Sequence, residues 1–243
     1  MTIAAVLFDK DGTLFDFEAS WADWVHALIA DLSGGAENVA SEIASEIRFD
    51  RAARRFAPDS PIIAGTLDDI CQRIAPALPG TTATDLAEMV NARAASARMV
   101  PATPLAPLLA ELRGRGLALG VATNAAESEA MAHLEEAGIA AEFDYVAGCD
   151  SGFGAKPAPG MCTPFAETLA LDPGQVLMVG DSLHDLHAGR AAGMRAIAVL
   201  TGIASAADLA PHADAVLPDI GHLPAWLGNT SGAGQPGDTV APG

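Results

Sequence analysis

Short, wholly apolar runs alternate along the chain with longer stretches whose apolar positions recur every three or four residues. Ile3–Phe8 (IAAVLF) is the first run and stops at a charged turn containing a glycine. Leu117–Ala122, Tyr145–Ala147, Val176–Val179 and Ala196–Leu200 follow, with Ala215–Leu217 a weaker sixth. Runs of this length without polar alternation predict strands buried on both faces, as parallel sheets require. Between them, Leu105, Leu108, Leu109 and Leu112 share one helix face ahead of Gly114. Met131 and Leu134 continue a helix that Gly138 can end, and Leu186–Ala192 lead to Gly193. Strand and helix in alternation predict an α/β fold, a doubly wound parallel sheet.

The segment 16–99 departs from that alternation. It has no convincing strand and at least three helical patterns. Trp21, Trp24, Val25, Leu28 and Leu32 recur at helical spacing, Val39, Ile43 and Ile47 follow in steps of four, and Leu67, Ile70, Cys71 and Ile74 form a third face. Thr66 with Asp69 three residues on has the form of a capping box, and a fourth helix is expected over Asp85–Arg98. The Trp pair is read as the packing core of a small bundle. The division expected is therefore an α/β core over 1–15 and 100–227 with an α-helical cap over 16–99 inserted in it. Residues 228–243, rich in Gly, Pro, Ser and Thr, read as a disordered tail.

Composition narrows the partners. The sequence has 243 residues, half of them hydrophobic, which suits one large domain or a core with a satellite. With 31 acidic against 13 basic residues the formal net charge is −18. Such a surface repels nucleic acid and anionic membrane, and accepts a phosphorylated substrate only where a cation reverses the local field. Cys71, Cys149 and Cys162 form no paired motif and suit a reducing compartment. The chain enters its first strand at once, with no basic leader and no apolar run long enough to span a bilayer, so a cytoplasmic location is expected.

Four polar clusters lie beyond the C-terminal ends of the expected strands or in the loops leading to the next helix, Lys156-Pro157 after an irregular stretch. They are Asp9-Lys10-Asp11-Gly12-Thr13, Thr123-Asn124, Lys156-Pro157, and Gly180-Asp181-Ser182 with Asp185. In an open parallel sheet the carboxyl ends of the strands share one edge, where ligands bind. Each cluster alone has an ordinary structural explanation: a turn, a helix cap, a solvated charge, a first-turn acid. Their order and common placement predict a single site.

With these residues in place the chain resembles the haloacid dehalogenase (HAD) superfamily, in particular its phosphoglycolate phosphatase-like hydrolases with a helical cap. The resemblance runs from about Ile3 to Leu217 and implies a Mg2+-dependent phosphomonoester hydrolase. Asp9 is the implied nucleophile, which forms an aspartyl phosphate. Asp11 is the implied general acid and base; dehalogenase branches lack it. Thr123 and Lys156 are expected to position and neutralise the phosphoryl group, with Gly12 and Asn124 beside it. The Mg2+ ligands implied are Asp9, the Asp11 backbone carbonyl and Asp181, with Asp185 orienting metal-bound water. The cap is expected to close over the site, hinged near Phe15–Glu18 and Val100–Thr103.

The partner expected is a small phosphorylated metabolite, and the sequence leaves monomer and homodimer equally open. A sugar-phosphate phosphomutase and a non-catalytic phosphate-binding protein on the same fold are the alternatives. A phosphonatase needs a cap lysine, and 16–99 contains none. Asp16-Phe17 stands where family members often carry Asp-Ser, which leaves the substrate open. Arg51, Arg54 and Arg55 read either as a charged helix face or as a holder of a substrate carboxylate or second phosphate. His184 and His187 read as solvated or helix-packing residues in preference to a transition-metal pair.

Overall fold

The computed structural model describes residues 2–232. Its centre is a six-stranded, all-parallel sheet in the order β5-β4-β1-β6-β7-β8. The strands are β1 (Ala5–Phe8), β4 (Ala118–Ala122), β5 (Tyr145–Ala147), β6 (Val176–Gly180), β7 (Arg195–Val199) and β8 (Ala215–Leu217). β1 lies between β4 and β6, with Leu7 opposite Gly120 on one side and Met178 on the other. All four of its residues are fully buried, which is why the sequence there is continuously apolar. Helices cover both faces: α5 (Leu105–Gly114), α6 (Glu127–Glu136), α7 (Cys162–Thr168), α8 (Leu183–Ala191), α9 (Ala206–Leu209) and α10 (Leu223–Gly232). Phe8, Leu109, Val121 and Val179 belong to the main cluster on one face, and Leu7, Phe165 and Met178 to a second on the other. The doubly wound α/β expectation is met.

Between β1 and α5 the chain builds α1 (Phe17–Ser33), α2 (Glu37–Glu46), α3 (Leu67–Ile74) and α4 (Ala83–Ala94). Asp16 accepts from Ala19 N at 2.8 Å to cap α1, and Thr66 with Asp69 forms the expected capping box on α3. These helices pack around a hydrophobic cluster of their own that includes Trp21, Val25, Ile29, Ile43, Leu86 and Val90. The two strands of chain that join this insert to the sheet run side by side. Phe15 pairs antiparallel with Pro101, Asp16 N donates to Val100 O at 2.9 Å, and Ala102 N donates to Leu14 O at 3.0 Å.

Three sequence expectations need correction. The insert does contain strands: β2 (Phe49–Asp50) and β3 (Arg55–Phe56) form a two-residue antiparallel ribbon, too short to leave a periodic signature. Arg51, Arg54 and Arg55 therefore lie on or next to a hairpin, not on a helix face. α10 continues to Gly232, into the stretch expected to be a disordered tail; the rest of that tail lies outside the described residues. Among the described residues no helix is long and apolar enough to cross a membrane.

Candidate active site

β1 delivers Asp9 to the carboxyl edge of the sheet, and its backbone N–H continues the ladder to Val179 O at 2.8 Å. The chain then turns sharply: Gly12 adopts φ +85°, a conformation that costs glycine little. β6 delivers Asp181 beside it, and the first turn of α8 delivers Asp185. Ligand oxygens of Asp9, Asp181 and Asp185 all lie within 4.8 Å of one another, and all three residues are buried. Lys156 arrives from the loop after β5. Its Nζ donates to Asp9 Oδ1 at 2.5 Å, Asp185 Oδ1 at 2.6 Å and Ala122 O at 2.7 Å.

One ammonium does not balance three buried carboxylates. Burial pushes Asp9 up to about 7, aided by Asp185 and Asp11 and opposed by Lys156. Asp181 is raised as well, by burial first and then by Asp185 and Asp9. Burial acts against the charge on Lys156, but Asp185 and Asp9 outweigh it and hold its pKa above the usual lysine range. Asp181 Oδ2 is buried with no hydrogen-bond partner among the described residues. The space around that carboxylate is kept open by two glycines: a Cβ at Gly12 would sit 2.5 Å from Asp181 Oδ2, and one at Gly202 would sit 1.7 Å from it. An orphaned carboxylate oxygen among hard oxygen donors suits a divalent cation such as Mg2+. Asp9 and Asp181 are placed to hold it. Asp185 has both oxygens in use, Oδ1 by Lys156 and Oδ2 by the Ser182 N–H and hydroxyl at 3.0 and 2.6 Å, and so stands behind the other two.

Thr123, at the end of β4, is buried, and its Oγ1 accepts from Ala125 N at 3.1 Å, which leaves its proton to donate into the site. Asn124 lines the same cavity as these groups, and its amide is held by backbone groups. Its Nδ2 donates to Ala64 O of the insert at 2.8 Å and to Lys156 O at 2.9 Å, while its Oδ1 accepts from Lys156 N at 2.8 Å. The side chain clamps the Lys156 loop to the insert. His184 and His187 do not form a pair: His187 meets His212 at 3.2 Å, and His184 lines the cavity above Asp185. Arg51 and Arg54 are engaged by Glu37 and Asp23, both at 2.6 Å.

The residues that sequence reasoning missed form a second polar group behind Asp11. Lys10 is wholly buried, and its Nζ lies 2.9 Å from Asp11 Oδ2, 3.0 Å from Glu129 Oε1 and 2.9 Å from His133 Nδ1. Lysine has only donors and a carbonyl only acceptors. The contact of His133 Nε2 with Ala94 O at 2.8 Å therefore fixes the tautomer: Nδ1 accepts from Lys10, and Nε2–H donates to the last turn of α4. Burial, and then the Lys10 charge, lower the His133 pKa to about 4, in keeping with a neutral ring. Burial acts against Lys10's charge, yet Asp11 and Glu129 raise its pKa. A signal was available in the sequence. The chain has two lysines, Lys10 and Lys156, and both are buried at this edge of the sheet.

The comparisons with known proteins agree with this geometry. Residues 3–193 match the family model of haloacid dehalogenase-like hydrolases. Over 226 residues the chain is 32% identical to a phosphoglycolate phosphatase of Rhodospirillum rubrum, covering 92% of this chain and 90% of the relative. An N-acetylmuramic acid 6-phosphate phosphatase of Pseudomonas putida is 30% identical over 205 residues, covering 83% and 85%. Among solved structures, a HAD family hydrolase from Deinococcus radiodurans with bound phosphate and sodium superposes with a TM-score of 0.66 at 24% identity, covering 94% of this chain and 96% of that one. That likeness bears on the fold. The family match over residues 3–193 and the phosphatase relative covered over nine-tenths of both chains lead to one conclusion: the chain belongs to the haloacid dehalogenase-like hydrolases and is a phosphatase.

Proposed function

We propose that the protein is a Mg2+-dependent phosphomonoester hydrolase of a small metabolite that works through an aspartyl phosphate on Asp9. The observation that carries this reading is Asp181 Oδ2, buried without a partner beside Asp9 and kept clear by Gly12 and Gly202. When bound, Mg2+ supplies charge compensation between the carboxylates and the phosphate.

Asp9 attacks phosphorus in line, and the alcohol departs as the aspartyl phosphate forms. Lys156 holds the Asp9 carboxylate in place and offers positive charge to the phosphoryl oxygens, and the Thr123 hydroxyl donates to the same oxygens. Asp11, lining the same cavity, gives a proton to the leaving oxygen and later takes one from the water that attacks the phosphoenzyme. The insert, fastened to the core through Asn124 and Ala64, limits access of bulk water.

The relatives named phosphatases favour hydrolysis over the mutase reading, and phosphoglycolate is the first substrate to test. The test is phosphate release from a panel of phosphomonoesters with and without Mg2+, together with Asp9→Asn. Release that needs both the metal and Asp9 is expected; turnover by Asp9→Asn would overturn the assignment.

A further inference from the structure

A single cavity runs from the strand ends into the interior of the insert. At one end lie Asp9, Asp11, Thr123 and Lys156, and at the other the helices of the insert. The lining of the two ends differs sharply. α1 presents Trp24, Leu28 and Leu32; the loop before α3 presents Ile62 and Ile63; and α3 presents Ile70. All six are half-buried, and the helix pattern Trp21–Leu32 faces the same space. Along that pattern all the residues line the cavity, with Trp21, Val25 and Ile29 buried and Trp24, Leu28 and Leu32 half-buried and packed against the same cluster.

Among the described residues lining this cavity, the one Lys or Arg is Lys156, already engaged by Asp9 and Asp185. The arginines of the insert are elsewhere: Arg51 and Arg54 pair with Glu37 and Asp23, and neither lines the space. A leaving group with its own carboxylate or second phosphate would have to give up water against Leu, Ile and Trp side chains with no cation to receive it, at high cost. An apolar leaving group would gain from the same wall.

We infer that the cavity of the insert is a leaving-group subsite for an uncharged, apolar alcohol, so that the preferred substrates are alkyl or aryl phosphate monoesters in place of phosphoglycolate. The inference rests on the proposed hydrolase chemistry and gives it a substrate class. The phosphoryl group stays with Asp9, Lys156 and Thr123, and the alcohol's hydrocarbon lies along Leu28, Leu32 and Ile63.

The test is kcat/KM for butyl, hexyl and octyl phosphate, phosphoglycolate and acetyl phosphate, all with Mg2+. The alkyl alcohols are equally poor leaving groups, so chain length reports the subsite alone. A rise of about fourfold per added methylene is expected, with phosphoglycolate below octyl phosphate. Leu28→Arg is expected to lower octyl phosphate turnover at least tenfold and raise that of phosphoglycolate; Leu28→Ala, a milder change, is expected to flatten the chain-length slope. Acetyl phosphate, too small to reach the subsite, reports the catalytic groups. Turnover of acetyl phosphate with a flat alkyl series, or with phosphoglycolate the best substrate, overturns the apolar subsite and leaves the hydrolase reading standing. Phosphate release from no substrate overturns both.

Discussion

Trp21 Nε1 donates to Asp11 Oδ1 at 2.9 Å, so a side chain of the insert holds the carboxylate assigned to proton transfer. The other oxygen of Asp11 faces Lys10 Nζ at 2.9 Å. Asp11 is thus aimed from two sides, one belonging to the sheet and one to α1. On the proposed role of Asp11, the insert would contribute to the chemistry as well as to the walls. Trp21→Phe keeps most of the ring and removes this donor. Loss of one hydrogen bond to a charged group is worth about 1.5–3 kcal/mol, so a fall in kcat of roughly tenfold or more is expected, with KM moved much less. Steady-state kinetics on any turned-over phosphomonoester checks it. An unchanged kcat would show that Lys10 alone suffices to place Asp11.

Lys10 supports a sharper prediction because its partners are buried with it. Removing one member of a buried charged set leaves the others uncompensated, at about 3–5 kcal/mol. Lys10→Met therefore destabilises strongly, through the stranded Glu129 carboxylate, which burial already raises in pKa against the pull of Lys10. Lys10→Met with Glu129→Gln is expected to recover part of the loss. Urea unfolding of the two single variants and the double closes the cycle. Strict additivity would mean that Lys10 and Glu129 do not depend on each other.

His133 gives the fold a pH dependence of defined sign. Its pKa falls from 6.5 to about 4, chiefly by burial and then by the Lys10 charge. The folded pKa is depressed, so as pH drops the unfolded chain takes up a proton before the folded one does. The stability this provides is whole above about 6.5 and is lost progressively as pH falls to about 4. Its ceiling is about 3 kcal/mol. Raised Asp9 and Asp181 act with the opposite sign, so the comparison with a variant isolates the histidine. His133→Gln can still accept from Lys10 and donate to Ala94, but does not titrate. Denaturant unfolding between about pH 7 and 4 is expected to show the parent losing more stability than this variant; parallel curves would refute the assignment.

The contrast between what was legible in the sequence and what was not has a physical origin. Strands buried on both faces must be continuously apolar, so Ala5–Phe8 and Val176–Gly180 announce themselves. Asp9, Lys156 and Asp181 were legible because chain ends of a parallel sheet meet at one edge whatever the loops do. The β2–β3 ribbon left no trace because two residues cannot display a period. The clamp made by Asn124 left no trace because its partners, Ala64 and Lys156, are backbone carbonyls 60 and 32 residues away, and backbone acceptors carry no sequence signature. The Lys10–Glu129–His133 group stayed hidden for a related reason. A lysine between two aspartates reads as a surface charge until the fold places α6 and α4 around it. Glu129 and His133 at i and i+4 on α6 look like an ordinary helix pair.

Asp181 Oδ2 has no hydrogen-bond partner among the described residues. If Asp181 and Asp9 hold Mg2+, the metal binds the folded chain and not the unfolded one. Saturation then raises the unfolding free energy by about 2.7 kcal/mol at a hundredfold excess over Kd. Thermal unfolding with and without Mg2+ is expected to show an increase in Tm without any substrate present. Asp181→Asn removes a charge from a cluster held together against its own repulsion. That variant is therefore expected to be at least as stable as the parent without metal, and to lose the Mg2+ response. Gly202→Ala tests the cradle separately. It keeps every ligand residue, but its new methyl lies 1.7 Å from Asp181 Oδ2 and must push the carboxylate aside. A diminished Mg2+ shift in both variants is the expected pair of results. A full shift in Asp181→Asn would mean that the ion binds elsewhere.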